Sequence, residues 1–136
     1  MFKNIVGFVL VFMGFFVSSA LADRYQCTYS ARISEWDKIN SQGQSLVSGY
    51  NLSSVAAVIR QDRANFHKFN RRDPEDTSDC AFSSPQARQR LENFLRNGSV
   101  SQEALRRIAD DTPLIDVDVY DNHVDVRLLN EQSSIR

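Results

Sequence analysis

The sequence predicts an α+β fold: a small antiparallel sheet, made by an N-terminal strand and a C-terminal hairpin, packed with about three helices and tied by one disulfide. Three observations predict it. Apolar and polar residues alternate near both ends of the chain, the middle carries apolar residues at helical spacing, and two cysteines follow a segment with the pattern of an export signal.

That segment comes first. Met1-Phe2-Lys3-Asn4 sets one positive charge before an apolar run from Ile5 to Val17, and Ala20 and Ala22 then form an A-x-A cleavage pattern. The run is shorter than the ~20 apolar residues of a spanning helix. The expected organisation is a cleaved signal over 1–22, one globular domain over 23–129 and a polar, flexible tail over 130–136. Removing 22 of the 136 residues leaves 114, enough to bury roughly 65% of the unfolded surface. Five of the nine Phe leave with the signal, so Phe66, Phe69, Phe82 and Phe94 remain for the core. No second hydrophobic segment follows, and the mature chain is expected to lack a membrane span. Cys27 and Cys80, an even pair in a chain with an export pattern, are expected to form a disulfide.

The first strand rests on Tyr25, Cys27, Tyr29 and Ala31 alternating with polar residues as far as Ile33. Ser34 to Gly49 is rich in Ser, Gln and Gly and reads as a loop, with its Trp36 expected to pack on the domain. Ser53 is the expected N-cap of the first helix. Val55, Val58, Ile59, Phe66 and Phe69 give that helix one apolar stripe ending near Phe69. A polar loop from Asn70 to Asp79 follows, its turns favoured by Pro74 and the aspartates. Ser84-Pro85 starts a second helix carrying Leu91, Phe94 and Leu95, which Gly98 stops. Ser101 caps a third, with Leu105, Ile108 and Ala109 on its apolar side. Finally Leu114–Tyr120 and His123–Leu129 alternate around Asp121-Asn122, a two-residue hairpin turn. This register sets Val119 against Val124, Val117 against Val126, Ile115 against Leu128 and, on the polar face, Asp118 against Asp125.

Charge is divided unevenly along the chain. Ten basic and seven acidic residues lie between Arg60 and Arg107, whereas Asp110–Asp125 holds six aspartates and no Lys or Arg. The net charge of −1 argues against non-specific nucleic-acid binding.

Three groups of residues carry possible chemistry. Asp62 falls inside the apolar stripe of the first helix and needs a partner there, because an unpaired buried carboxylate is costly. Arg63 and His67, four apart, share the adjacent face. Asp73, Glu75, Asp76 and Asp79 offer oxygen ligands suited to calcium, but their spacing is not that of an EF-hand and Arg71 and Arg72 compete for them, so a solvated turn is expected. Asp118 opposite Asp125 is a like-charge pair that a cation, a basic partner or Arg127 would relieve.

No nucleophile elbow, phosphate-cradling glycine loop or H-E-x-x-H pattern is present, and no cofactor or metal is implied. Two functional classes follow as expectations. The first is a small, extracytoplasmic (periplasmic or secreted), non-enzymatic binding module: an inhibitor, immunity-type or accessory protein that contacts another protein. Its candidate binding residues are Arg63, Arg71, Arg72, Asp118 and Asp125. The second is a small secreted hydrolase for an anionic substrate, with His67 as base, Asp62 or Asp73 orienting it and Arg63, Arg71 and Arg72 holding the anion.

Overall fold

Strand β1 (Tyr25–Arg32) turns Tyr29 and Ala31 inward, and Ile33 continues the pattern just beyond it. It runs antiparallel to β3 (Leu114–Tyr120), with Tyr29 opposite Val117 and Ala31 opposite Ile115. The computed structural model describes residues 13–14 and 23–129. Residues 13 and 14 apart, the expected signal over 1–22 lies outside them, as does the tail over 130–136.

The C-terminal hairpin has the register that its alternation predicts. Strand β4 (Val124–Leu128) places Val124, Val126 and Leu128 opposite Val119, Val117 and Ile115. The Tyr120 amide donates to the His123 carbonyl across the turn at 2.9 Å, and the two rings stack with centroids 4.2 Å apart. One face of the hairpin is thereby apolar, its isoleucine and four valines buried and Leu128 half-buried, so a one-residue slip would expose every valine in it.

The sheet is larger than this and mixed. A two-residue strand, β2 (Ser99–Val100), pairs parallel with β4, giving the order β1-β3-β4-β2. Gly98 makes the pairing possible by lying directly over the Val124 carbonyl, and the Ser99 amide and hydroxyl then both donate to Asp125 at 2.9 Å. A strand of two residues has no periodicity for a sequence to display.

There are four helices over the described residues rather than about three. Helix α1 (Leu52–His67) is capped by Asn51, whose side chain accepts from the Ser54 amide at 2.9 Å. Ser53, the expected cap, lies inside the first turn. The expected second helix is divided at Arg90 into α2 (Pro85–Gln89) and α3 (Leu91–Asn97), because the Arg90 amide closes a tight turn onto Ala87. Ser84 and Ser101 cap α2 and α4 (Gln102–Asp110) as expected. The Ser34–Gly49 segment is not all loop, since Glu35–Lys38 forms a short 3-10 turn in which Asp37 accepts from the Ser34 amide and hydroxyl. Val55, Val58, Ile59, Leu91, Leu95 and Ile108 pack onto the apolar side of the sheet.

Cys27 on β1 and Cys80 form the disulfide. It closes a loop whose sequence separation is 53 residues, which restricts the unfolded chain by about 4 kcal/mol in the loop-entropy treatment. The segment before Cys80 also covers the free edge of β1. The Thr77 amide donates to the Ser30 carbonyl, the Ser30 amide donates to the Thr77 hydroxyl, and the Arg32 amide donates to Asp76. An edge strand covered this way offers little to a second chain. No helix among the described residues is long and apolar enough to cross a membrane.

Candidate functional site

Two places follow from how α1 meets its neighbours: a buried polar cluster on its inner side and an open cleft at its C-terminal end.

In the cluster, Arg63 is fully buried, and Asp62 is 2% exposed. The Arg63 guanidinium donates to Asp62 at 2.7 Å, to the Thr77 carbonyl at 3.1 Å and to Asp79 at 3.1 Å. It also stacks on the rings of Tyr29 and Phe66, 4.2 and 4.6 Å from their centroids. Asp79 is the hub: one of its oxygens accepts from the amides of Ala81 and Phe82, and the other faces Arg63 and, at 2.6 Å, His67 Nε2. The carboxylate that meets His67 is therefore Asp79, not Asp62 or Asp73.

One cation and two carboxylates share this dry space, and the electrostatics divide them. Burial pushes the Asp62 carboxyl up to about 8, with the Arg63 guanidinium offsetting only part of the shift. For Asp79, burial works in the same direction, but the Phe82 amide, His67, the Ala81 amide and Arg63 together hold it below the usual carboxylate range. The sign for stability follows. The folded protein keeps a proton on Asp62 that the unfolded chain, with an ordinary value near ~3.9, has released. The stability this provides is full below that value and is lost as pH rises through about 8. The melting temperature is expected to fall as pH rises from about 6 to about 9, and Asp62→Asn is expected to flatten that slope. Thermal melts across the range check it, and an unchanged slope in the variant contradicts it.

Of the expected hydrolytic set, Arg63 shares the Asp79 oxygen with His67, whose side chain is 14% exposed, and the remaining members bond elsewhere. Arg72 lies over the Phe66 ring at 4.0 Å and donates to the Phe66 carbonyl, while Arg71 points to Trp36. Asp73 bonds through its backbone within the loop, to Asp76. The other loop carboxylates face separate partners: Glu75 pairs with Arg32, and Asp76 accepts from the Arg32 and Asp73 amides. Among the described residues no group of three or more His, Cys, Asp or Glu converges on a point that could hold a metal.

On the sheet's polar face, Asp118 and Asp125 stand opposite each other. Each has its own internal partner. Arg127 grips Asp118 with two bonds of 3.0 and 3.1 Å, the Thr28 hydroxyl adds a third, and these contacts, Arg127 foremost, lower the Asp118 carboxyl. Asp125 accepts from Ser99. The like-charge pair is thus relieved within the chain.

The cleft encloses about 440 Å³ between the 3-10 turn and the end of α1. Its base is a fixed relay: Gln61 donates to Asn65, and Asn65 donates to Asp37 at 2.8 Å and to the Trp36 carbonyl at 3.4 Å. Its far wall depends on how α1 stops. The amides of Lys68 and Phe69 return to the Ala64 carbonyl, that of Arg71 returns to Asn65, and Asn70 takes a left-handed conformation with φ 52°. This reversal carries Phe69 and Arg71 over the cleft. The Arg71 guanidinium lies 4.6 Å above the Trp36 ring. Trp36 is 55% exposed and Phe69 52%. Both depart from expectation, since Trp36 was to pack on the domain and Phe69 to join the core stripe.

Two local signals mark these positions. Ser34-Glu35-Trp36-Asp37 is a capping-box pattern, which starts a helical turn at Trp36 where a loop was expected, and Asn70 after a helix is a natural left-handed stop. A second cleft, of about 300 Å³, lies beside the disulfide and is lined in part by Phe82, Arg90 and Tyr120. His67 lines neither cleft. No protein-family model, no curated protein and no solved structure matches the chain.

Proposed function

We propose that the chain is an exported, non-enzymatic binding module, of inhibitor, immunity or accessory type, that contacts another protein through the Trp36–Phe69 cleft. One observation carries the reading: a Trp and a Phe, each more than half exposed, border one cleft with an Arg stacked on the Trp. Large aromatic side chains and arginine dominate the energetic centres of protein interfaces, and leaving such rings in water has no benefit for the free chain. The Asn65 relay and the α1 stop hold the backbone that carries both rings, which lowers the ordering entropy that opposes binding. The disulfide is compatible with an oxidising compartment, and the export pattern of residues 1–22 agrees with it.

A hydrolase remains the second reading because His67 and the buried Asp79 are 2.6 Å apart, the arrangement of an oriented general base. Against it, Asp79 is occupied by two amides and by Arg63, which is fully buried, and the other two cations expected to hold an anionic substrate lie on the Trp36 and Phe66 rings.

Affinity capture from the extracytoplasmic fraction of the native host separates the two. The purified, disulfide-bonded protein and its Trp36→Ala/Phe69→Ser variant serve as parallel baits. A partner held by the first and lost by the second is expected. A partner retained by both, or hydrolytic activity that disappears on His67→Gln, would overturn the binding-module reading.

A further inference from the structure

The charge around the cleft specifies what enters it. Gln61, Asn65 and Phe69 lie four residues apart along one stripe from α1 into its stop, and all three line the cleft. The adjacent outward stripe carries Arg60, Ala64 and Lys68, and both cations are exposed. Lys68 Nζ sits 5.2 Å from the Phe69 ring centroid, and Arg71 rests on Trp36. None of Arg60, Lys68 and Arg71 pairs with a carboxylate among the described residues. The carboxylates next to Trp36 and along α1 have other partners, and Asp73, two residues after Arg71, is hydrogen-bonded through its side chain to Ser34. Glu35 lies 3.5 Å from Lys38, Asp37 is buried behind Asn65, and Asp62 is sealed against Arg63. The cleft lining itself contains an arginine and neutral amides but no acid. Other cations of the chain also lack a carboxylate partner, Arg72 and Arg88 bonding to backbone carbonyls instead. What distinguishes Arg60, Lys68 and Arg71 is their place, on and beside two exposed rings that border a cleft with no acid in its lining.

We infer that the cleft takes an acidic segment of the partner protein, with an apolar or aromatic side chain seated between Trp36 and Phe69, a carboxylate on Arg71, and Lys68 and Arg60 meeting flanking acids. The inference rests on the binding-module reading above. Arginine is suited to the central place because its planar cation can stay on the indole while its edge donates to a carboxylate. The flanking cations act at longer range, attracting an acidic chain and rejecting a basic one.

The protein reports on this itself, because Trp36 is its single tryptophan. A random displayed-peptide library is selected on the purified, disulfide-bonded protein, with the Trp36→Ala variant used for counter-selection. The leading peptide is then titrated while Trp36 emission is followed. Enrichment of Asp and Glu around one Leu, Phe or Trp is expected, with a saturable change in emission. Arg71→Gln is expected to weaken binding roughly tenfold. Salt is also expected to weaken it, since the screening length falls from roughly 30 Å at about 0.01 M to roughly 3 Å at about 1 M. Neutral or basic winners, no enrichment, or affinity indifferent to Arg71→Gln and to salt would each overturn the inference. Adding Arg71→Gln as a third bait in the capture experiment tells the two failures apart. A partner lost with Trp36→Ala/Phe69→Ser but kept with Arg71→Gln leaves the cleft reading standing and removes the acidic segment, whereas a partner kept by both variants removes the cleft reading.

Discussion

Replacing Asp79 by alanine is expected to cost about 3–5 kcal/mol of folding stability, the range found when one partner of a buried ion pair is removed. The side chain of Asp79 is fully buried and serves four donors at once: the amides of Ala81 and Phe82, the Arg63 guanidinium and the His67 ring. Without it, Arg63 keeps its charge in the core with only Asp62 opposite, and burial already disfavours the ionised form of that carboxyl. The two amides also lose their acceptor, so the turn leading from the disulfide into α2 loosens. Asp79→Asn separates the contributions, since it retains an acceptor for the amides and removes the charge; a smaller loss than for alanine is expected. Urea unfolding with the disulfide intact measures both. A loss below about 1 kcal/mol for Asp79→Ala, the size of an exposed salt bridge, would contradict the hub role.

Gly98→Ala is expected to destabilise by about 3 kcal/mol or more, at the upper end of overpacking substitutions. A Cβ at this position would lie 1.8 Å from the Val124 carbonyl oxygen and 2.7 Å from its carbon, both backbone atoms that no rotamer change can move. To fit a methyl group, α3 must move away from β4. That separates β2 from its partner and releases the Ser99–Asp125 bonds. Asn97→Ala, one residue away, is the control. It removes a single exposed bond to the Asn122 carbonyl and is expected to cost under about 1 kcal/mol. Thermal unfolding of the two variants checks this, and equal losses would contradict the close approach at Gly98.

How far the sequence can be read depends on the range of the interaction involved. The hairpin was legible to the residue pair, because alternation over Leu114–Leu128 leaves one register with an apolar face. Ser84 and Ser101 declared their helices because capping is a local bond. The Cys27–Cys80 bridge followed from count alone. What escaped depends on non-local geometry. The two-residue β2 is set by its pairing with β4, not by periodicity. Asn51 and Ser53 are both acceptable caps, and the hydrogen bond to Ser54 decides between them only in three dimensions.

The site was legible in part. Asp62 inside an apolar stripe signalled a buried pair, and Arg63 beside it is that partner. Asp79, however, reads as one more turn residue in an acidic loop. Phe69 falls in step with the core positions of α1, yet it lies past the last full turn, where the chain has already begun to reverse through Asn70. Helical periodicity carried one turn too far thus hid an exposed ring, and the same reversal sets it across from Trp36.

Site-directed photo-crosslinking tests most directly whether the Trp36–Phe69 cleft is the surface through which this protein acts. A photoreactive phenylalanine analogue is placed at Trp36, at Phe69 and, on the opposite polar face of the sheet, at Arg127, each in the full chain expressed in its native host. Irradiation is expected to give a discrete adduct with one partner protein from positions 36 and 69, and none from position 127. An adduct from position 127 with none from 36 or 69 would contradict the cleft and move the interface to the acidic face of the hairpin.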